Sequence, residues 1–181
     1  GAFAERGVGW RFETLDELRE RMPAVASRFS SYRAYAEAET GDLLEATDVE
    51  RPQKLEATWL ETSLFIGTGT GRFERRTLPV EAQFSPVFTV TTLDYDRDGH
   101  TDVVLGGNMN EARIRLGKHD ANYGVLLRGL PSASFEYVPQ YESGLGVRGD
   151  VRSVLHIGDA LLFGINRSAV RAFALVHARD D

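Results

Sequence analysis

The chain has 181 residues, of which 42% are hydrophobic and 27% are charged, and it contains no cysteine. A chain of this length can bury a sizeable core, either as one domain or as a portion of a larger one. The absence of cysteine excludes disulfide scaffolds and zinc–cysteine sites. The formal net charge of −6 argues against a general nucleic-acid binder, which usually carries a basic face. No apolar run approaches the ~18 residues that a membrane-spanning helix needs.

The N-terminal part of the chain, residues 1–45, carries a helical pattern. Thr14 and Glu17 fit a capping box, in which each side chain satisfies a free backbone donor at the start of a helix. Pro23 is well placed to open a second helix at its first turn. The stretch 45–54 contains mixed charges and a proline, which is typical of a loop. Residues 1–54 are therefore predicted to form a helical segment and a linker. An apolar stripe at helical spacing supports the second helix: Val25, Phe29, Tyr32 and Ala36.

From residue 55 to residue 181 the pattern changes to short β-rich runs separated by Gly, Pro, Asp and Asn clusters. Strands do not alternate regularly with helices, so a doubly wound parallel sheet is not expected. Meandering antiparallel sheets fit the pattern better. The predicted strands are 55–60, 63–67, 72–77, 87–93, 102–106, 124–128, 134–138, 151–156, 160–164 and 169–175.

Two sets of residues recur along this β-rich part. Leu64, Gly67, Phe73 and Glu74 return 62 positions later as Leu126, Gly129, Phe135 and Glu136. Val103, Leu105, Gly106 and Asn108 return 58 positions later as Leu161, Phe163, Gly164 and Asn166. A unit of about four strands that repeats in this way favours β-propeller blades. Chance matches of apolar and glycine positions are the alternative.

The clearest motif lies at 94–102, where aspartates occupy positions 1, 3, 5 and 9 of a short loop and Gly99 occupies position 6. Calcium takes 6–8 oxygen ligands at ~2.3–2.6 Å and favours carboxylates and carbonyls. Two carboxylates ~4 Å apart repel each other by ~4 kcal/mol at an effective dielectric constant of 20, so converging aspartates favour a bound cation. The alternative is an Asx-rich turn with separate, solvated carboxylates. The predicted Ca²⁺ ligands are the side chains of Asp94, Asp96, Asp98 and Asp102 and the backbone carbonyl of His100.

Other motifs carry weaker signals. The glycine-rich stretch 67–71 lacks the Lys-Ser/Thr ending of a phosphate-binding loop, so a hairpin turn is expected there. The polar loop 108–122 could hold an acid–base pair in His119 and Asp120, although an ordinary surface loop is the simpler interpretation. A hydrolytic or carbohydrate-active module that uses this loop is one functional hypothesis. The loop's polar groups are Glu111, Arg113, Arg115, His119 and Asp120.

The acidic loop and the strand that follows it, 94–108, resemble the FG-GAP (VCBS) repeat proteins. Several further segments are similar to the last part of the ASPIC/UnbV-type VCBS proteins and together span nearly the whole chain. They are Leu15–Leu18 with Met22-Pro23, Ser63–Ile66, Gly71–Glu74, Leu78–Gln83, Asp120–Gly124 and Gly149–Arg152. The second copy departs from the pattern, because residues 156–160 lack the alternating aspartates. Only one calcium site is therefore carried over from the resemblance.

The resemblance implies a mainly β fold: antiparallel four-stranded blades of a partial β-propeller, two to three blades over 55–181, after the helical segment 1–54. It implies an extracytoplasmic location, in a secreted, periplasmic or outer-membrane-associated protein. It favours a non-enzymatic, calcium-stabilised interaction module with a protein or glycan ligand. The expected partners are the remaining blades of a parent chain or another subunit, and no nucleic acid is expected. A purely structural segment that closes a larger propeller is a further hypothesis.

Overall fold

The computed structural model describes residues 2–5, 8–11, 13–39, 42, 57–112 and 117–176. The chain divides into two compact units, residues 1–57 and residues 58–181. The described part of the first unit contains a hairpin followed by three short helices. These elements are β1 (Ala2–Glu5), β2 (Val8–Arg11), α1 (Leu15–Arg21), α2 (Pro23–Ala26) and α3 (Tyr32–Glu37).

The capping box forms as predicted at the start of α1. The Thr14 hydroxyl accepts a hydrogen bond from the backbone N–H of Glu17, and the Glu17 carboxylate accepts one from the backbone N–H of Thr14. Pro23 opens α2, also as predicted. The helical prediction is wrong for residues 2–5 and 8–11, because β1 and β2 form an antiparallel pair there.

The predicted continuous stripe over 25–36 is also wrong. Helix α2 ends at Ala26, and Ser31 caps a separate helix by accepting a hydrogen bond from the backbone N–H of Ala34. Tyr32 is therefore 58% exposed, while Tyr35 is buried in its place. The local hydrogen bond of the serine competes with helix continuation, which is the usual effect of a serine in such a position. The core of this unit consists of Leu15, Leu18, Val25, Ala26 and Tyr35, with Phe29 packed against it.

The second unit is built of antiparallel sheets, which confirms the mainly β class. Its strands form a hairpin β3-β4, a four-stranded sheet in the order β5-β6-β7-β8 and a three-stranded sheet in the order β9-β10-β11. Among the described residues no sheet closes on itself, and none of the helices has the length and apolar character to span a membrane. The strands are β3 (Ser63–Gly67), β4 (Phe73–Thr77), β5 (Val87–Leu93), β6 (Asp102–Gly107), β7 (Val125–Leu130), β8 (Ser134–Val138), β9 (Val151–Ile157), β10 (Ala160–Ile165) and β11 (Arg171–Ala174), with a short helix α4 (Gln140–Ser143) and a 3₁₀ helix (Val80–Gln83) between them.

Most predicted strands form close to their predicted positions, and 63–67, 87–93 and 134–138 form over the same residues. The strand predicted at 55–60 is wrong over 57–60, which has no regular secondary structure, and residues 55 and 56 lie outside the described residues. The loop predicted at 45–54 also lies outside them.

The three-stranded sheet packs face to face on the four-stranded sheet through β9, which contacts β5 and β6. Two threonines of β5 hold the backbone of Val154: the Thr91 hydroxyl donates to its carbonyl at 2.6 Å, and its N–H donates to the Thr89 hydroxyl at 3.2 Å. Gly106 makes the close approach possible, because a Cβ there would lie 2.6 Å from Cγ1 of Val151. The core between the two sheets contains Leu93, Val104, Leu126, Val138, Leu145, Val147, Val151, Val154, Leu161, Phe163 and Ile165.

The opposite face of the four-stranded sheet carries a smaller core, to which the 3₁₀ helix contributes Ala82. Gln83 fixes that helix to the start of β3, because its amide accepts from the backbone N–H of Thr62 at 2.7 Å and donates to the Thr62 carbonyl at 3.0 Å. The buried members of this core are Ala82, Leu105, Val125 and Leu127.

The strand pairs that the sequence repeat relates have matching registers. Gly67 lies opposite Phe73 in β3-β4, and Gly129 lies opposite Phe135 in β7-β8. The pairs β5-β6 and β9-β10 both shift register beside the repeated glycines, at Phe88 and at Arg152. These two bulge residues touch, since the Arg152 guanidinium carbon lies 4.0 Å from the Phe88 ring centroid.

Candidate metal centre

The acidic loop connects β5 to β6, and its backbone curls tightly. Arg97 and Gly99 both adopt positive φ angles, 62° and 85°, in the left-handed region that favours glycine. Aspartate side chains stabilise the curl: Oδ1 of Asp96 accepts from the N–H of Asp98 at 3.3 Å, and Oδ1 of Asp98 accepts from the N–H of His100 at 2.7 Å. These are Asx turns, in which a short polar side chain replaces a backbone acceptor.

Three of the loop's carboxylates converge. One oxygen each from Asp94, Asp96 and Asp102 lies within 4.8 Å of the others, with Asp102 buried and the other two exposed. Ligand oxygens ~2.3–2.6 Å from a shared ion lie no more than ~5 Å apart, so these separations fit a single calcium-sized cation. The structure therefore brings together three of the five predicted ligands in a group that could hold a metal ion.

Asp102 is the structural centre of the group, with no exposed surface. Its Oδ1 accepts from the backbone N–H of Gly129 at 2.8 Å, and its Oδ2 accepts from the N–H of Tyr95 at 2.8 Å. Burial raises the pKa of the Asp102 carboxyl, the two backbone hydrogen bonds oppose that shift, and the nearby carboxylates of Asp96 and Asp98 raise the pKa further. The net effect disfavours the ionised form of Asp102 relative to an exposed aspartate, and a cation at the triad would act in the opposite direction.

Gly129 is required for this arrangement. The β6-β7 ladder ends at the pair Val103 and Leu127, and the Asp102 side chain then takes over as acceptor for the Gly129 N–H. A Cβ at position 129 would lie 2.2 Å from the carbonyl oxygen of Thr101, so only glycine allows β7 to approach the loop so closely. The acidic loop is therefore connected to three strands, β5, β6 and β7.

Arg128 places a positively charged guanidinium beside the acidic loop. The sequence did not predict this contact. Its Nε lies 3.0 Å from Oδ2 of Asp96, and its Nη2 lies 3.6 Å from Glu142 and donates to the Tyr95 hydroxyl. Burial raises the pKa of the Tyr95 phenol, while the hydrogen bond from Arg128 opposes that shift. No local sequence signal links Arg128 to the loop, because only the β6-β7 pairing brings them together.

The remaining two predicted ligands are Asp98 and the backbone carbonyl of His100. Asp98 is not part of the triad, and its carboxylate receives the N–H of His100. The carbonyl of His100 as a ligand stays a prediction.

The described residues of the polar loop, 108–112 and 117–122, do not bring their charged groups together. Met109 and His119 form a backbone bridge, with His119 and Asp120 both exposed. Glu111 is also exposed and pairs with Arg167, outside the loop. Arg113 and Arg115 lie outside the described residues. The glycine-rich stretch 67–71 belongs to the turn between β3 and β4, as predicted, and Thr68 there donates its N–H to the carbonyl of Arg72 at 3.0 Å.

A buried polar centre, which the sequence did not predict, joins three of the segments that carry the family resemblance. Asn108 is 1% exposed and adopts a φ of 84°. Its amide donates to the carbonyls of Asn122 at 2.7 Å and of Gly149 at 3.1 Å, and its Oδ1 accepts from the N–H of Asn122. Arg152 donates to the Asn108 carbonyl. These contacts satisfy buried polar atoms within the protein, which gives the centre a structural role.

No protein-family model, curated protein or solved structure matches the chain in the comparisons.

Proposed function

We propose that the β-rich unit is a non-enzymatic, calcium-stabilised β-propeller module of the FG-GAP/VCBS type, which serves protein or glycan interaction in an exported protein. The observation that carries the proposal is the convergence of Asp94, Asp96 and Asp102 between the first two strands of a four-stranded antiparallel meander. The resemblance to the FG-GAP/VCBS repeat proteins implies an acidic calcium loop within such a four-stranded blade.

The donor set favours calcium among the common cations. All three ligand side chains are carboxylates, and hard oxygen ligands suit Ca²⁺ or Mg²⁺ better than zinc or copper. The loop also contains Asp98 and backbone carbonyls, which can complete the shell of 6–8 oxygens that calcium takes. Arg128 pairs with one of the three triad carboxylates, Asp96, so it compensates only part of the negative charge.

The proposed role of the ion is to hold the loop rigid. Asp102 already connects β6 to β7 and to the start of the loop through its two backbone hydrogen bonds. An ion shared with Asp94 and Asp96 would add the end of β5 to the same centre. A catalytic metal would need an open coordination position beside other reactive groups, and the acid–base candidates His119 and Asp120 belong to the polar loop instead.

The blade interpretation is supported by the matching registers of β3-β4 with β7-β8 and of β5-β6 with β9-β10. The two stacked sheets are then successive blades. The partners we propose are the remaining blades of a parent chain or another subunit, together with a protein or glycan ligand.

Calcium binding to the purified chain tests the metal site. We expect isothermal titration to detect one calcium site and the melting temperature to rise as Ca²⁺ replaces EDTA. A ligand at 100 times its Kd stabilises the folded state by ~2.7 kcal/mol, which corresponds to about 5–11 °C for a domain of this size. The double variant Asp94→Asn/Asp96→Asn should lose both signals. Asp120→Asn, an exposed aspartate outside the loop, should keep them.

The absence of any calcium-dependent heat or melting shift in the wild-type chain would refute the metal site. An equal loss of the shift in Asp120→Asn would show that the effect is non-specific charge screening.

A further inference from the structure

The three-stranded sheet has one face packed in the core and one face open to water. Residues directly opposite each other in an antiparallel pair lie on the same face, so the registers define the open face. Its members are Ser153, Leu155 and Ile157 in β9, Ala160, Leu162 and Gly164 in β10, and Ala172 and Ala174 in β11. None of them is charged, and Leu155 and Ile157 are 56% and 58% exposed. A contiguous apolar face of this kind is typical of an interaction surface.

The open face has a covered counterpart in the four-stranded sheet. The repeat places Thr89, Thr91 and Leu93 of β5 in the positions of Ser153, Leu155 and Ile157, and Val104 and Gly106 of β6 in the positions of Leu162 and Gly164. In the four-stranded sheet this face receives β9. The open face is therefore a second surface of the same construction, to which no sheet of the described residues is packed.

The two repeated glycines, Gly106 and Gly164, show which packing neighbours the open face lacks. A Cβ at Gly106 would meet Val151 at 2.6 Å and Val154 at 3.2 Å, so those two valines fill the hollow above it. A Cβ at Gly164 would meet atoms of the cross-strand Ser153, to which its three nearest neighbours all belong. The hollow at Gly164 thus lacks the pair of valines that fills the hollow at Gly106.

The chain carries such a pair on another surface. Val87 and Val90 occupy in β5 the register positions of Val151 and Val154 in β9. Val154 is 4% exposed beneath its neighbouring sheet, whereas Val90 is 58% exposed. Val87 is partly buried against the smaller core on the same sheet face, so Val90 is the member of the pair that is open to a partner.

We infer that the open face binds a second copy of this chain. Val87 and Val90 of one copy would pack against Leu155 and Leu162 on the open face of the next. The contact continues the observed packing of β9 on β5 by one more step. It joins two different surfaces, so it is heterologous and leads to rings or open chains of copies. The inference rests on the proposed function only in treating the two sheets as copies of one unit, and it does not use the metal site.

Two lysine variants, each with one surface blocked, test the contact by sedimentation velocity in calcium. Leu155→Lys blocks the open face, and Val90→Lys blocks the valine pair. Both side chains are more than half exposed, so each variant should keep the circular dichroism spectrum and the melting profile of a folded monomer. If Leu155→Lys does not fold, Ala174→Lys blocks the same face. Leu60→Lys, at a position 85% exposed and on neither surface, is the matched control.

The wild type and Leu60→Lys should form concentration-dependent oligomers, and each blocked variant should sediment as a 20.1 kDa monomer. An equimolar mixture of the two blocked variants should form a dimer of twice that mass, because each supplies the surface that the other lacks. A wild type that stays monomeric at every concentration would overturn the inference, as would a mixture that stays monomeric. Loss of calcium binding alone, with oligomers intact, would refute the metal site and leave this contact standing.

Discussion

The substitution Asp102→Asn probes the buried carboxylate without changing its shape. Both oxygens of Asp102 accept backbone N–H groups, those of Gly129 and Tyr95, at 2.8 Å each. An asparagine has one acceptor oxygen, so its NH₂ group must face one of these two donors. A buried donor left without a partner costs ~1–3 kcal/mol. For a domain of this size that cost lowers the melting temperature by between about 2 and 12 °C.

The assay is thermal denaturation followed by circular dichroism, in EDTA, so that metal binding makes no contribution. Asp98→Asn is the matched control, because Asp98 is exposed and its carboxylate accepts the single N–H of His100 among the described contacts. Asp98→Asn should change the free energy of unfolding by no more than about 0.5 kcal/mol, as most surface substitutions do. Equal melting temperatures for Asp102→Asn and the wild type in EDTA would refute the role of the two backbone hydrogen bonds. An equal loss in Asp98→Asn would show that loop charge, and not the buried acceptor, controls stability.

Two further predictions concern the packing and the titration of the unit. Gly106→Ala should lower the free energy of unfolding in urea by ~1–3 kcal/mol, because the new methyl group would lie 2.6 Å from Val151 and 2.8 Å from Thr89 and overpack the core. The control Gly146→Ala should change this free energy little, because its Cβ would meet its nearest neighbour at 3.6 Å. Equal effects of the two substitutions would contradict the close packing at Gly106. Burial raises the pKa of Tyr95, so its phenol should ionise at a higher pH than an exposed tyrosine in an absorbance titration at alkaline pH, read as the difference between wild type and Tyr95→Phe. Because the folded state holds this proton more tightly than the unfolded chain, the contribution of Tyr95 to stability is complete below its ordinary pKa and is lost as the pH rises through the folded pKa; a difference curve at or below the ordinary tyrosine pKa would count against a buried phenol.

Strand positions in the β-rich unit were predictable because they depend on local patterns. The run 87–93 alternates in burial along its length and lies between a proline and the acidic loop, and it forms over the predicted residues. The hairpin β1-β2 was missed because its strands of four residues are too short to show a period. The break between α2 and α3 was missed for a different reason: the side-chain hydrogen bond of Ser31 overrides an apolar spacing that by itself fits one helix.

The acidic loop could be predicted because its aspartates and its glycine are close in sequence and follow a spacing with a chemical meaning. The groups that surround it could not. Arg128 and Gly129 reach the loop only through the β6-β7 pairing, and Gly129 looks in sequence like any turn glycine. Asp98 fits the same spacing, but it lies outside the triad and its Oδ1 accepts the N–H of His100, so its role as a ligand stays a prediction.

The difference between the two stacked sheets explains why the chain carries one acidic loop and not two. In register, the position of Asp102 opposite Leu93 corresponds to Ala160 opposite Ile157. A two-residue turn, Gly158-Asp159, connects β9 to β10 where eight residues connect β5 to β6. A buried carboxylate is tolerated at position 102 because Gly129 and Tyr95 donate to it and because further aspartates can share a cation with it. The short turn supplies no equivalent of Tyr95 and no converging aspartates, and Ala160 lies on the open face of its sheet, so an aspartate at position 160 would be a single carboxylate in contact with water. A buried carboxylate at the start of the second strand of the pair thus occurs with the long loop, and the short turn is followed by a small apolar residue.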